Sequence, residues 1–351
     1  LVVVGRLPCA REAAAAAAIA ARLGWPVVAD IGAGLRGRAA PGRLVRHADL
    51  VLRDRAGWAG RAPDCVLHLG GESVSKPLAQ FLDAVAPPRL IRAVPDPRRR
   101  DPGHQTTDRL VVTLTALDDA LAGLAAAPAE PGWLEGWAEA EAAVAGAVAA
   151  AMEGEALDEP AAARLLGAAL PRDWGWFVGS SMPIRDADVF AAETPDHVAA
   201  NRGASGIDGT LATACGYAAG LGRPVALLCG DLAALHDLNA LLLLRQADPP
   251  VLAVVINNDG GGIFHFLPVA GEADRFETWF GTPHGVSVAP LARGFGMAAD
   301  TPASQAALRD AVARFITNPA PMLLEIRTER QANRARHREL ETVALSALGA
   351  A

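Results

Sequence analysis

Short unbroken apolar runs, separated by stretches with a helical period, recur along the 351 residues of this chain. Runs without alternation such as "VALLC" and "VLAVVI" fit strands covered on both faces. "LVVVG" (1–5), "WPVVADIGAG", "CVLHLG" (65–70), "RLIRAV" and "RLVVTL" (109–114) also read as strands. Between them, residues 11–23 and 76–84 repeat apolar positions at helical spacing. Strands alternating with helices in this way predict a doubly wound parallel sheet. No GxGxxG follows the first strand, so residues 1–130 read as a Rossmann-like domain without the usual phosphate loop. "APAEPG" (127–132) then breaks the pattern, and a helix from Trp133 to about Met152 leads into the acidic turn "EGEALDEP". Residues 131–158 are therefore expected to form a linker helix and turn.

A second α/β pattern fills residues 159–351. It has a helix at 160–169, strands within "WFVGSSMPIRDADVF", "HVAANRG", "PVALLCGD" and "VLAVVINNDGGGIF", a helix at 302–316, the strand "MLLEIRT" and an Arg-rich helix from Arg330. The expected fold class is α/β, with two doubly wound, mostly parallel-sheet domains.

Composition narrows this picture modestly. The longest apolar runs, "AAAAAAIAA" (13–21) and "ALLLL" (240–244), fall short of the roughly 20 residues of a membrane span. No basic stretch leading into an apolar core opens the sequence, so no secretory signal is read. A net charge of −7 argues against a general nucleic-acid binder. Lys76 is the only lysine, a bias that fits GC-rich coding. The four cysteines are scattered without CxxC spacing, as expected of reduced core residues in a cytoplasmic protein.

Chemistry concentrates where the second set of strands ends. "GDLAALHDLNALLLLRQADPPVLAVVINND" (230–259) reads as strand end, helix and strand, with Leu232, Leu235, Leu238, Leu241 and Leu242 lining one face of the crossover helix. In an open parallel sheet, ligands bind beyond the carboxyl ends of the strands. Asp231 and Asn258 fall at two such ends, and a carboxylate with an amide oxygen suits an octahedral Mg²⁺ shared with phosphate oxygens. The helix start after Asp231 offers N–H groups to an anion, and the glycines at 260–262 permit close backbone approach. A helix cap at Asp231 and an ordinary turn at 257–259 would use the same residues. "GSSMPIRD" (179–186) and "NRGASGIDG" (201–209) add two further strand ends with hydroxyls, glycines and arginines. Arg185 and Arg202 suggest carboxylate recognition, since guanidinium pairs with carboxylate in a bidentate fork. "IFHFLP" (263–268) supplies an apolar wall, in which His265 fits packing.

GD followed about twenty-five residues later by NN resembles the metal and diphosphate signature of thiamine-diphosphate enzymes, although Leu232 stands where many members have a glycine. "GSSMPIR", "NRGASGIDG", "GDLAALHDLNALLLLRQ" and "NNDGGGIFHFLP" together are similar to the MenD synthases of the menaquinone pathway. "VVVGR" and "DPGHQTTDRLV" resemble the central domain of the same family. The resemblance implies thiamine diphosphate and Mg²⁺ (or Mn²⁺) as cofactors. Asp231, Asn258 and the Gly260 carbonyl would be metal ligands, while Leu232, Ala233, Gly260, Gly261 and Ile263 would contact the diphosphate. Ile207 would be the apolar residue that holds the cofactor bent. Ser181, Arg185, Arg202, Phe264 and Leu267 would face substrate. Lys76 would be a basic residue near substrate in the central domain, with Pro77 departing from the expected Arg.

The implied reaction is decarboxylation of 2-oxoglutarate and 1,4-addition of the succinyl carbanion to isochorismate, within a homodimer or homotetramer. In this family a pyrimidine-binding domain supplies the activating glutamate. Leu1 sits on the first strand of the central domain, so a truncated, inactive chain with no catalytic residue of its own is expected. Other thiamine-diphosphate 2-oxoacid enzymes, and a non-catalytic module of the same fold, are the alternatives.

Overall fold

A computed structural model describes residues 1–37, 43–124 and 129–349. The chain divides into two compact units, residues 1–151 together with the end of the C-terminal helix from Leu340, and residues 152–339.

In the first unit, β1 (Val2–Val4), β2 (Val27–Ala29), β3 (Leu44–Val45), β4 (Cys65–Leu69), β5 (Arg89–Val94) and β6 (Asp108–Val111) form one sheet in the order β3-β2-β1-β4-β5-β6. Every pairing is parallel. Leu114 and Leu117 join the buried Val2, Val4, Ala16, Ile19 and Leu69 in its core. The helix Lys76–Val85 starts as its sequence predicts: Ser75 accepts the Leu78 N–H and Pro77 occupies its first turn, where no backbone donor is needed.

The helix Pro131–Ala151, expected as a linker, belongs to this unit instead. Trp137, Ala140, Val144 and Val148 recur at three- and four-residue steps and are all buried. Trp137 meets Phe81 edge-on with ring centroids 6.2 Å apart. Such a stripe needs a core to cover it, which a free linker does not have. The turn-forming residues expected at 127–132 lie partly outside the described residues.

In the second unit, β7 (Gly175–Val178), β8 (His197–Ala199), β9 (Val225–Gly230), β10 (Val251–Asn257), β11 (Ala298–Asp300) and β12 (Met322–Arg327) follow the order β11-β12-β10-β9-β7-β8. This sheet is also parallel throughout. All seven residues of β10 are buried, as its unbroken apolar run requires. The crossover after β9 is not one helix. It runs as a helix Asp231–His236, a tight turn Leu238–Ala240 and a helix Leu241–Arg245. The break rotates the faces, so Ala233, Ala234, Ala240, Leu241 and Leu244 pack inward while Leu242 and Leu243 are exposed.

Candidate active site

The second sheet changes its direction of growth between β7 and β9. β8 lies outside β7 on one side, and β9, β10, β12 and β11 follow on the other. A crevice opens beyond the carboxyl ends at such a reversal, and a cavity of about 360 Å³ occupies this one. Its wall is built by the segments that leave β7, β8, β9 and β10. Ser181 and Arg185, Arg202 and Ile207, Asp231, Leu232 and Ala233, then Asn258, Gly260, Gly261, Ile263 and Phe264 all line it. Thus twelve of the fourteen residues singled out from the sequence meet around one space. Leu267 is 45% exposed and is not part of the lining. Lys76 is an exposed first-turn residue of a helix in the first unit and does not line this cavity.

Asp231 is 2% exposed, and its carboxylate is held from three directions. Oδ1 accepts the Leu232 N–H at 2.6 Å, Oδ2 accepts the Gly260 N–H at 2.9 Å, and His284 Nε2 stands 3.2 Å from Oδ2. Asn258 donates Nδ2 to Glu159 Oε1 at 2.8 Å. Its Oδ1 is buried without a hydrogen-bond partner. A buried amide oxygen left without a donor is costly, so this atom is best explained by a ligand that the cavity is built to receive. Gly260 adopts φ +129, and a Cβ there would lie 1.9 Å from the Gly281 carbonyl oxygen, so only glycine fits. Strain gathers here as well: Ser181, Ser205 and Asp259 are three of six non-glycine residues with positive φ among the described residues.

Among the described residues, no three His, Cys, Asp or Glu side chains cluster as a metal cage. One carboxylate, one amide oxygen and a backbone carbonyl instead fit a hard cation that completes its shell with phosphate and water. Asn258, with its orphan Oδ1, and the ordered Asp231 carboxylate line the same cavity and meet that requirement. Arg185 donates to the Ser181 carbonyl at 2.6 Å, and burial together with neighbouring Arg202 pulls its pKa down. Two close guanidiniums of this kind gain from an anion between them.

Sequence reasoning missed Glu159. It lies at the start of the helix Glu159–Ala169, is 2% exposed, and lines the cavity. Burial pushes its pKa up to about 8, and Asp186 and Asp231 add to the rise against hydrogen bonds from Asn258 and Thr328. In "LDEP" a glutamate reads as an ordinary first-turn acid, and nothing local separates it from one. His284 was also missed, because its partner lies 53 residues away. His265 does pack as expected, buried and edge-on to Phe276 at 4.6 Å.

Two family models match the chain. The middle domain of thiamine pyrophosphate enzymes covers residues 1–178, and the C-terminal thiamine pyrophosphate binding domain covers residues 181–326. The chain is 46% identical over 343 residues to a protein of Rubrobacter xylanophilus named 2-succinyl-5-enolpyruvyl-6-hydroxy-3-cyclohexene-1-carboxylate synthase. Proteins of the same name from Salinibacter ruber and Chlorobium phaeobacteroides are 44% and 36% identical. Each alignment covers 97% of this chain and 58–59% of the relative, so the chain spans less than two thirds of their length. With both models matched in order and most of the strand-end cavity's lining in the second of them, the chain belongs to the thiamine pyrophosphate enzyme family, among relatives that are 2-succinyl-5-enolpyruvyl-6-hydroxy-3-cyclohexene-1-carboxylate synthases.

Proposed function

We propose that the cavity of the second unit holds the diphosphate end of thiamine diphosphate together with Mg²⁺, as part of an enzyme that decarboxylates 2-oxoglutarate and adds the resulting four-carbon unit to isochorismate. The observation that carries this reading is the buried, partnerless Asn258 Oδ1, on a residue that lines the same cavity as Asp231 and the glycines at 260–262. When bound, thiamine diphosphate supplies the electron sink for decarboxylation. The residues of this chain do the rest of the holding. Asp231, Asn258 and the Gly260 carbonyl ligate the metal, which Mn²⁺ can replace because the donors are oxygens. Leu232, Ala233, Gly261 and Ile263 pass along the diphosphate, and Ile207 props the bend of the cofactor. Arg185, Arg202 and Ser181 orient carboxylates of the substrates, with Phe264 as the apolar wall. Activation of the cofactor's pyrimidine belongs to a glutamate in the part of the relatives' length that this chain does not align with. The assembled enzyme is a cytoplasmic homodimer or homotetramer in this reading, and no described helix is long and apolar enough to cross a membrane.

Calorimetry with thiamine diphosphate and Mg²⁺, on the wild type and on Asp231→Ala, tests the assignment. Saturable binding that Asp231→Ala abolishes is expected. Equal binding by both proteins removes the metal assignment, and no binding by a full-length wild type removes the whole reading.

A further inference from the structure

We propose that Glu159 is a positioning residue: it sets the Asn258 side-chain amide so that Oδ1, and not Nδ2, faces the metal. This rests on the cofactor assignment above and adds to it the device that orients one ligand. Glu159 Oε1 accepts from Asn258 Nδ2 at 2.8 Å and from Thr328 Oγ1 at 3.0 Å. With Oε1 accepting from both the amide and the hydroxyl, Nδ2 is seated against Glu159 and Oδ1 is the end of the amide left without a protein donor. Gly262 adds a second constraint on the same nitrogen. A Cβ on Gly262 would come within 2.6 Å of Asn258 Nδ2, so any larger residue there would push the amide from its seat.

Glu159 is itself fixed from the protein side. Asp158 caps its helix by accepting the Ala161 N–H at 2.7 Å, and Arg336 Nε holds Asp158 at 2.9 Å. A carboxyl group that is 2% exposed and, among the described residues, is hydrogen-bonded to an amide and a hydroxyl with no cationic partner is expensive to keep. Stability alone gives no reason for it, whereas orienting a metal ligand does. Partners behind a ligand act in this way in metal sites generally.

The experiment titrates Mg²⁺ into the full-length protein at saturating thiamine diphosphate, following intrinsic tryptophan fluorescence, with thermal melting as the folding control. Glu159→Met keeps the volume but removes the acceptor, and its Mg²⁺ affinity should fall roughly 10- to 100-fold. Glu159→Gln keeps an acceptor oxygen and should stay close to wild type. A folded Glu159→Met protein with wild-type Mg²⁺ affinity overturns the proposal, and so does a Glu159→Gln protein as impaired as Glu159→Met, because an acceptor oxygen would then not be the operative property. Should Glu159→Met not fold, Gly262→Ala displaces the amide by a direct clash with Nδ2. A loss of Mg²⁺ affinity supports the proposal, and unchanged affinity overturns it. Failure of the wild type to bind the cofactor and metal would instead remove the assignment on which the proposal stands.

Discussion

Asn257 Nδ2 lies 2.6 Å from Glu325 Oε1, and this contact ties the end of β10 to the middle of β12. Glu325 is 0% exposed, and its other oxygen accepts from Ser287 Oγ and the Ala289 N–H, both at 2.8 Å. Burial works against its charge, but hydrogen bonds from Ala289, Asn257 and Ser287 win and hold its carboxyl below the usual range. The two adjacent asparagines therefore do different work. Successive side chains along an extended segment point to opposite sides, which sends Asn257 into the structure and Asn258 to the cavity.

Alanine substitution should separate the two roles. Asn257→Ala leaves a buried carboxylate short of a donor and should lower stability by about 1–3 kcal/mol, read by denaturant unfolding. Asn258→Ala should cost less stability and instead weaken Mg²⁺ binding by more than tenfold. The reverse pattern in the two variants would contradict the assignment of roles.

Glycines at the site divide in the same manner. Gly260→Ala places a Cβ against the Gly281 carbonyl at positive φ, and a clash with backbone should cost more than about 2 kcal/mol in a melt. A Cβ on Gly230 meets nothing within 4 Å, and its φ of −83 suits any residue. Gly230 nevertheless lines the cavity. Gly230→Ala should therefore melt within about 1 kcal/mol of wild type while binding thiamine diphosphate less tightly in calorimetry. Normal affinity in that variant would show that the methyl group does not meet the ligand.

Carboxylate recognition is tested at Arg185. Replacing it by Met in the full-length enzyme removes a charge-assisted hydrogen bond, a loss of about 1.5–3 kcal/mol. The KM for 2-oxoglutarate should rise accordingly, while Mg²⁺ affinity remains unchanged. A variant that loses metal affinity but keeps its KM would place Arg185 on the wrong ligand.

In the first unit, His68 on β4 is 5% exposed, and burial, with Arg92 adding to it, pulls its pKa down to about 3. The folded chain thus keeps this imidazole neutral where the unfolded chain, near 6.5, takes up a proton. Between those values the unfolded state binds more protons, so stability falls as pH drops, by at most about 1.4 kcal/mol per pH unit. His68→Leu should flatten the decline between pH 6.5 and 3, measured by denaturant unfolding of the chain. An unchanged slope would mean that another group carries the acid sensitivity.

The buried strands were legible because unbroken apolar runs have few other homes, and most of the cavity lining was legible because its residues sit at strand ends. The two-residue β3 and three-residue β11 were not, since so short a run leaves no period to detect. The leucine repeat after Asp231 misled because a tight turn at Leu238–Ala240 resets the helical phase, which leaves Leu242 and Leu243 in solvent. The linker reading failed at Trp137, whose burial depends on Phe81, a partner remote in sequence. Glu159 was hidden for the same reason: its meaning lies in an asparagine 99 positions away.

The left-handed backbone at Ser181, Ser205 and Asp259 also bears on engineering. A screen for heat tolerance would favour exchanging such residues for glycine, since strain released there raises the melting point. The same exchange would give slack to loops that hold cavity-lining groups in place. Gains in endurance found at this rim should come with losses in turnover, whereas stabilising changes sought in the sheet cores should not.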